Sequence, residues 1–215
     1  NQQFQPIKPI ATPCVLPLST DYLALYAIMP LMNMTLYFLR SSEQKIVTDM
    51  LYYAMRLDQV GKTLSDVPKL SIYEEFYGFT TKDLGLYALV ENQLAGAVWI
   101  RRLNADHGSN GYIDEKTPIL TIAVLPEFRG RGIGSMMMEQ LLIEAGALHE
   151  RISVSVVEDS PALRFYERHG FMLHTDGSGE KSFVDGSNVV TMTKRLERGE
   201  VTRPSDGYDP RRWMD

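Results

Sequence analysis

Three glycines at alternate positions, Gly130, Gly132 and Gly134, separate a six-residue apolar run from a stretch with helical spacing, and this junction constrains the fold more than any other feature of the chain. The run Ile119-Leu120-Thr121-Ile122-Ala123-Val124 lacks regular alternation of apolar and polar residues, as expected of a strand buried on both faces. Beyond the glycines, Met137, Leu141, Ala145 and Leu148 recur three or four residues apart and define one face of a helix. The first N–H groups of such a helix have no partner within it, its dipole places partial positive charge there, and glycine lets backbone approach an anion closely. Arg129 and Arg131 interleave with the glycines and add charge-assisted donors. The stretch Arg129-Gly130-Arg131-Gly132-Ile133-Gly134-Ser135 therefore reads as a cradle for a pyrophosphate. A glycine-rich turn with two solvated arginines is the alternative.

Two familiar phosphate loops are excluded by spacing. A Walker loop carries Lys and then Ser or Thr after its last glycine, whereas Ser135-Met136 follows here. A dinucleotide fingerprint belongs to the first strand of its domain, and these glycines come after more than half of the chain. The string Arg129-Gly130-Arg131-Gly132-Ile133-Gly134 instead resembles the [Arg/Gln]-x-x-Gly-x-[Gly/Ala] signature of the GNAT superfamily of acyl-CoA transferases, at every position.

A second signature stands downstream. Asp159-Ser160-Pro161-Ala162-Leu163-Arg164-Phe165-Tyr166-Glu167-Arg168-His169-Gly170-Phe171 is similar to the superfamily's Asn-x-x-Ala-x-x-x-Tyr-x-x-x-Gly-Phe, with Asp159 where Asn is commoner. The segments Asp83 to Arg101 and Gly111 to Pro118 further resemble a bacterial GNAT branch whose acceptor is unassigned. The resemblance implies an α/β (α+β) GNAT fold: a mixed, mostly antiparallel central sheet flanked by helices and splayed where acyl-CoA inserts. It implies acetyl-CoA as co-substrate and an unidentified amine as acceptor. It also implies that the backbone of Ala123, Val124 and Leu125 polarises the thioester and that Asp159, Ala162, Phe165 and Tyr166 border the pantetheine arm. Tyr166 takes the place of the acid that protonates the leaving sulfur.

An alkylammonium acceptor with a pKa of about 10 must lose a proton before attacking a thioester. Glu115 and then Asp114, just before the central strand in a polar loop that also holds His107 and Tyr112, are the candidates for that base. The four histidines are dispersed, so no metal site is expected. The alternative to an N-acetyltransferase is a non-catalytic acyl-CoA-binding sensor module.

The rest of the chain bounds these readings. With 215 residues, residues 1–197 are expected to form a single domain, clearest over 86–196, and the polar segment 198–215 a tail that packs on the surface or on a partner subunit of a homodimer. A net charge of −5 with both signs mixed along the sequence excludes a general nucleic-acid binder. One cysteine, Cys14, excludes an internal disulfide, and no secretory leader opens the sequence, so a cytoplasmic location is expected. Tyr22 to Leu39 is uncharged but broken by Pro30, so no membrane span is expected. Instead, Asp21 to Met29 and Ser41 to Leu57 read as helices, with Met29, Met32, Met34, Tyr37 and Phe38 either walling the acceptor side or forming core. A hairpin turning at Asn92-Gln93, a strand over Ile152 to Val157, a helix from Ser160 to His169 and a last antiparallel pair, Phe171 to His174 with Val189 to Leu196, complete the expected order.

Overall fold

The computed structural model describes residues 34–79, 82–174 and 180–197. Cys14, the helix expected over Asp21 to Met29 and the tail from Arg198 lie outside them. Among the described residues, seven strands form one sheet in the order β1-β2-β3-β4-β5-β7-β6. They are β1 (Met34–Phe38), β2 (Leu84–Val90), β3 (Gln93–Arg101), β4 (Ile119–Val124), β5 (Arg151–Val157), β6 (Met172–Leu173) and β7 (Val189–Arg195). Helices α1 (Gln44–Ala54) and α2 (Leu57–Val60) follow β1, α3 (Ile133–Gly146) joins β4 to β5, and α4 (Ala162–Arg168) follows β5. All neighbouring strands run antiparallel except β4 and β5.

The unpatterned apolar character of the central strands follows from burial on both sheet faces. Along β3, Val98 and Ile100 enter the cluster beneath α3 with Met137, Met138 and Leu141, while Ala97 and Trp99 point the other way, into the cluster with Val47, Met50 and Leu51 of α1. Adjacent strand residues face opposite sides of a sheet, so a strand covered by helices on both sides has no polar face to show. Trp99 is fully buried and donates from its indole nitrogen to the carbonyl of Tyr73 at 2.9 Å.

One small residue, Gly96, lets β3 lie close to β4 and α3. A Cβ on Gly96 would lie 2.6 Å from the carbonyl oxygen of Ala123 and 2.9 Å from the terminal methyl of Met137. The backbone contact cannot be relieved by a rotamer change. Gly96→Val is therefore expected to destabilise the protein by about 1–3 kcal/mol, the usual range for overpacking; urea denaturation measures it, and an unshifted midpoint would mean that the strands separate freely here.

Three expectations are corrected. Met34 to Phe38 is not an acceptor wall but the edge strand β1, paired along its length with β2 from Met34↔Val90 to Phe38↔Leu86, with Tyr37 stacked on Tyr87 at 5.3 Å. The hairpin turns at Glu91-Asn92, one residue earlier than expected, because both carry positive φ (51° and 65°), as a two-residue turn of the twist-matching kind requires. Leu148 is 58% exposed, beyond the end of α3, and the buried face runs through Met137, Met138, Leu141 and Ala145. No described helix is long and apolar enough to cross a membrane.

Candidate functional site

The sheet comes apart between its two parallel strands. β4 and β5 pair at Ile119↔Ser153, where Ser153 N–H donates to the Pro118 carbonyl at 3.0 Å, and no further register pair joins them. Toward their carboxyl ends a cavity of about 440 Å³ opens, with Ile122, Ala123 and Val124 on one side and Ser155, Val156 and Val157 on the other. Crevices at the carboxyl ends of strands are the usual ligand sites of α/β sheets.

Divergence of the strands frees backbone groups at the end of β4. Leu125 N–H donates to the Ala95 carbonyl at 2.9 Å, and Ala123, two residues back, is turned the same way, toward β3. The N–H of Val124, between them, is turned toward the gap. Its carbonyl accepts from Arg129 Nε at 2.9 Å. The register of β3 with β4 is continuous from Gly96↔Val124 to Arg101↔Ile119; the register shift lies at Ala88/Leu89 of β2 instead. The open donor thus arises from separation of β5, not from a bulge in β4.

The glycine-rich segment follows β4 beside the cavity, and Arg129 is the residue of it that lines the cavity. Pro126–Phe128 form a single tight turn after β4, and Gly130 and Gly132 follow with φ of 75° and 78°, conformations that side-chain-bearing residues seldom adopt. Gly132 immediately precedes α3, and the first backbone bond into the helix is Met136 N–H to the Gly132 carbonyl at 3.1 Å. No side chain caps this end, so the N–H groups of Ile133, Gly134 and Ser135 remain open. Arg129 and Arg131 are both exposed beside them, Arg131 lying over the Phe128 ring at 5.6 Å. Together they make a positive, donor-rich surface suited to a phosphate group.

The second motif comes to the same place. A Cβ on Gly134 would sit 3.5 Å from a Val124 methyl and 3.6 Å from the Phe165 ring, so β4, the start of α3 and α4 meet there. Ala162, Phe165 and Tyr166 of α4 all line the cavity with Ala123, Val124 and Arg129. Tyr166 is 7% exposed and packs edge-on against Phe165 and Phe171. Burial pushes its phenol well above the usual tyrosine range, so it stays protonated across the neutral range, and its hydroxyl has no hydrogen-bond partner among the described residues. Asp159 is exposed and outside the lining; Ser160 and Pro161 beside it line the cavity, and Ser160 Oγ accepts from the Ala162 N–H at 3.2 Å.

Asp114 and Glu115 are not brought to this cavity. Asp114 sits at the closed end of the sheet, its Oδ2 accepting from Arg151 Nη2 at 2.6 Å and its Oδ1 from the N–H groups of Lys116 and Thr117 at 2.9 and 2.8 Å. Arg151 starts β5 and Val157 ends it, so roughly 20 Å of strand separates that ion pair from the open end of the crevice. Glu115 is exposed, and its backbone carbonyl accepts from Arg102 Nε at 2.5 Å. Both lie outside the cavity lining and belong to the loop that supports the start of β4. Burial raises the Asp114 carboxyl, but the hydrogen bonds from Thr117 and Lys116, with the Arg151 charge, outweigh it and hold it below the usual carboxylate range.

A lowered folded-state value means that this contribution is present above the unfolded pKa of about 3.9 and is lost as pH falls through the folded value. The pair is partly exposed, so Asp114→Asn should cost less than about 1 kcal/mol at pH 7, and the deficit should be smaller at pH 3. Denaturation at the two pH values checks this. Glu115→Gln and Asp114→Asn should both leave the pH dependence of turnover unaltered, and a displaced alkaline limb in either would return the base role to that residue.

The far wall had little signal in the sequence. It is built by Tyr53 to Gln59 at the α1–α2 corner, by Leu70 and Tyr73, by Asn110, and by the loop Ser182–Val184. Tyr73 donates to the Asn110 carbonyl at 3.1 Å, Asn110 Nδ2 donates to the Lys181 carbonyl at 2.9 Å, and Lys62 Nζ donates to the Val184 carbonyl at 2.5 Å. These contacts span up to 122 residues of sequence. Among the described residues, no group of three or more His, Cys, Asp or Glu is placed to hold a metal.

Comparisons with known proteins agree with this geometry. Residues 82–173 match the family model described as an acetyltransferase (GNAT) domain. A GNAT-family acetyltransferase from Streptococcus pneumoniae superposes with a TM-score of 0.55 at 18% identity, over 76% of this chain and 99% of that one. One from Staphylococcus aureus Mu50 gives 0.54 at 16% identity, over 76% and 99%. The Salmonella typhimurium protein yncA, solved with its cofactor acetyl-CoA, gives 0.54 at 16% identity, over 81% and 99%. A comparison with curated proteins finds no significant match. These structural likenesses carry the fold, and the family model carries the domain. Residues 82–173 are similar to a GNAT acetyltransferase domain, in a chain that has the GNAT fold.

Proposed function

We propose that the protein is an acetyl-CoA-dependent N-acetyltransferase that moves the acetyl group directly to a primary amine bound beside the thioester. The observation that supports this reading most is the meeting of three features around the end of β4: the uncapped start of α3, where Gly134 lies against Val124 and Phe165, the Val124 N–H turned toward the gap, and Tyr166 in the cavity lining. In this reading Gly130 to Ser135, with Arg129 and Arg131, take the diphosphate, and the pantetheine arm runs between β4 and β5 past Ala162 and Phe165.

The roles follow from where charge moves. The amine nitrogen attacks the thioester carbon, forming the C–N bond; the carbonyl oxygen gains negative charge, which the Val124 N–H stabilises. The C–S bond then breaks, and the departing sulfur takes a proton from Tyr166, whose buried phenol is neutral before the step and regains a proton from solvent after it. The amine gives up a proton to water in the open cavity, since Asp114 and Glu115 are distant. The products are an N-acetylated amine and free CoA thiol.

Thiol release from acetyl-CoA, measured over a panel of small amines and peptides, tests the proposal. Amine-dependent release is expected. Binding of acetyl-CoA without release above background for any amine would identify a non-catalytic acyl-CoA sensor instead.

A further inference from the structure

The cavity lining carries a second cation besides Arg129. Arg56 lines the cavity where α1 passes into α2, with Tyr53 and Gln59 beside it. Its backbone is left-handed, with φ 57° and ψ 30°, a conformation uncommon for a residue with a long side chain. Strained backbone of this kind persists where surrounding structure imposes it and clusters at ligand-binding positions. The guanidinium is also oriented: its Nε and Nη2 both donate to Gln59 Oε1, at 2.8 and 2.6 Å. A guanidinium has five N–H donors in a fixed plane, so one edge is held by Gln59 and the other remains for a ligand. Among the described residues, no acceptor takes that second edge.

The charge of the lining points the same way. Arg56 and Arg129 are the charged residues among those lining the cavity, Arg56 at the α1–α2 corner and Arg129 after β4, bonded to the Val124 carbonyl. Two cations from separate segments, with no acidic residue in the lining, match a cavity that receives two anionic groups. One is the diphosphate of the donor. Resting on the acetyl-transfer reading above, we infer that the amine acceptor itself carries an anionic group, a carboxylate or a phosphate monoester, that the free edge of Arg56 receives while the amine lies against the thioester. A planar fork suits either oxyanion, and a bidentate pair fixes orientation as well as charge. An acceptor made only of amines would instead place its second positive charge against Arg56.

The test compares matched acceptors: n-butylamine with 4-aminobutyrate, phenethylamine with phenylalanine, and ethanolamine with O-phosphoethanolamine. Each is measured for CoA release with the full-length protein and, by calorimetry, for binding to protein saturated with CoA, so that the outcome does not depend on turnover. The anionic member of at least one pair is expected to be preferred by about tenfold or more, the usual weight of a charge-assisted pair. The pair that shows the preference separates carboxylate from phosphate. Arg56→Gln is expected to remove the preference through KM while acetyl-CoA affinity stays within twofold, and Arg56→Lys to restore part of it. Arg56→Glu should turn the preference toward the neutral amines. Equal or better use of every neutral member, or a preference that survives Arg56→Gln, overturns the inference and makes Arg56 a solvated side chain paired with Gln59. Failure of the unsubstituted protein to bind acetyl-CoA would overturn the acetyl-transfer reading itself; binding with turnover of neutral amines alone overturns only the acceptor class.

Discussion

Tyr166→Phe is expected to lower kcat by about 100-fold, the contribution typical of a positioned general acid, while the affinity for acetyl-CoA changes less than twofold. The substitution removes one oxygen and keeps the ring that packs against Phe165 and Phe171. Because the hydroxyl has no partner among the described residues, no buried donor or acceptor is stranded by its loss, and the melting temperature should hold or rise slightly. A fall in kcat with unchanged binding separates a role in chemistry from one in packing. Full turnover in the variant would leave Tyr166 as a core residue and pass protonation of the sulfur to water.

Gly132→Asp is expected to weaken acetyl-CoA binding by about 100-fold, close to 2.8 kcal/mol at 1.4 kcal/mol per decade. The position tolerates the change in the free protein better than most. Aspartate is among the residues that enter left-handed backbone, here φ 78°, and it is favoured where a helix begins. Its carboxylate would then occupy the anion site and repel the diphosphate, so stability and ligand affinity should part company. Arg129→Gln, which keeps length and some hydrogen bonding, should cost about tenfold, the weight of one charge-assisted contact. Calorimetry on both variants, with thermal denaturation beside it, checks the pair. Unchanged affinity in Gly132→Asp would reject the anion cradle.

The parts of the molecule legible in the sequence are those specified by neighbours in the chain. Strand β4, the positive-φ glycines and helix α3 follow one another without interruption, and the backbone they need is written in the residues themselves: unalternated apolar positions, then glycines, then three-and-four spacing. The motif around Tyr166 was legible for the same reason, since Ala162, Phe165 and Tyr166 share one short helix. Nearness in sequence to the central strand is not nearness to the cavity. Asp114 and Glu115 precede β4, the crevice opens at its far end, and a strand is long compared with a side chain. The rest of the cavity wall was hidden for a different reason. Arg56, Tyr73, Asn110 and Val184 meet only through folding, and nothing local in their segments marks them as neighbours. Arg56 had a faint signal at most, an arginine beyond the end of a helical pattern with no glycine to take the left-handed turn.

A crystal structure of the protein with acetyl-CoA would test the central claim most directly. The diphosphate should lie on the N–H groups between Gly130 and Ser135, with the thioester carbonyl on the Val124 N–H and the sulfur within hydrogen-bonding reach of Tyr166. A nucleotide seated elsewhere, or a glycine-rich turn left empty at saturating ligand, would contradict it.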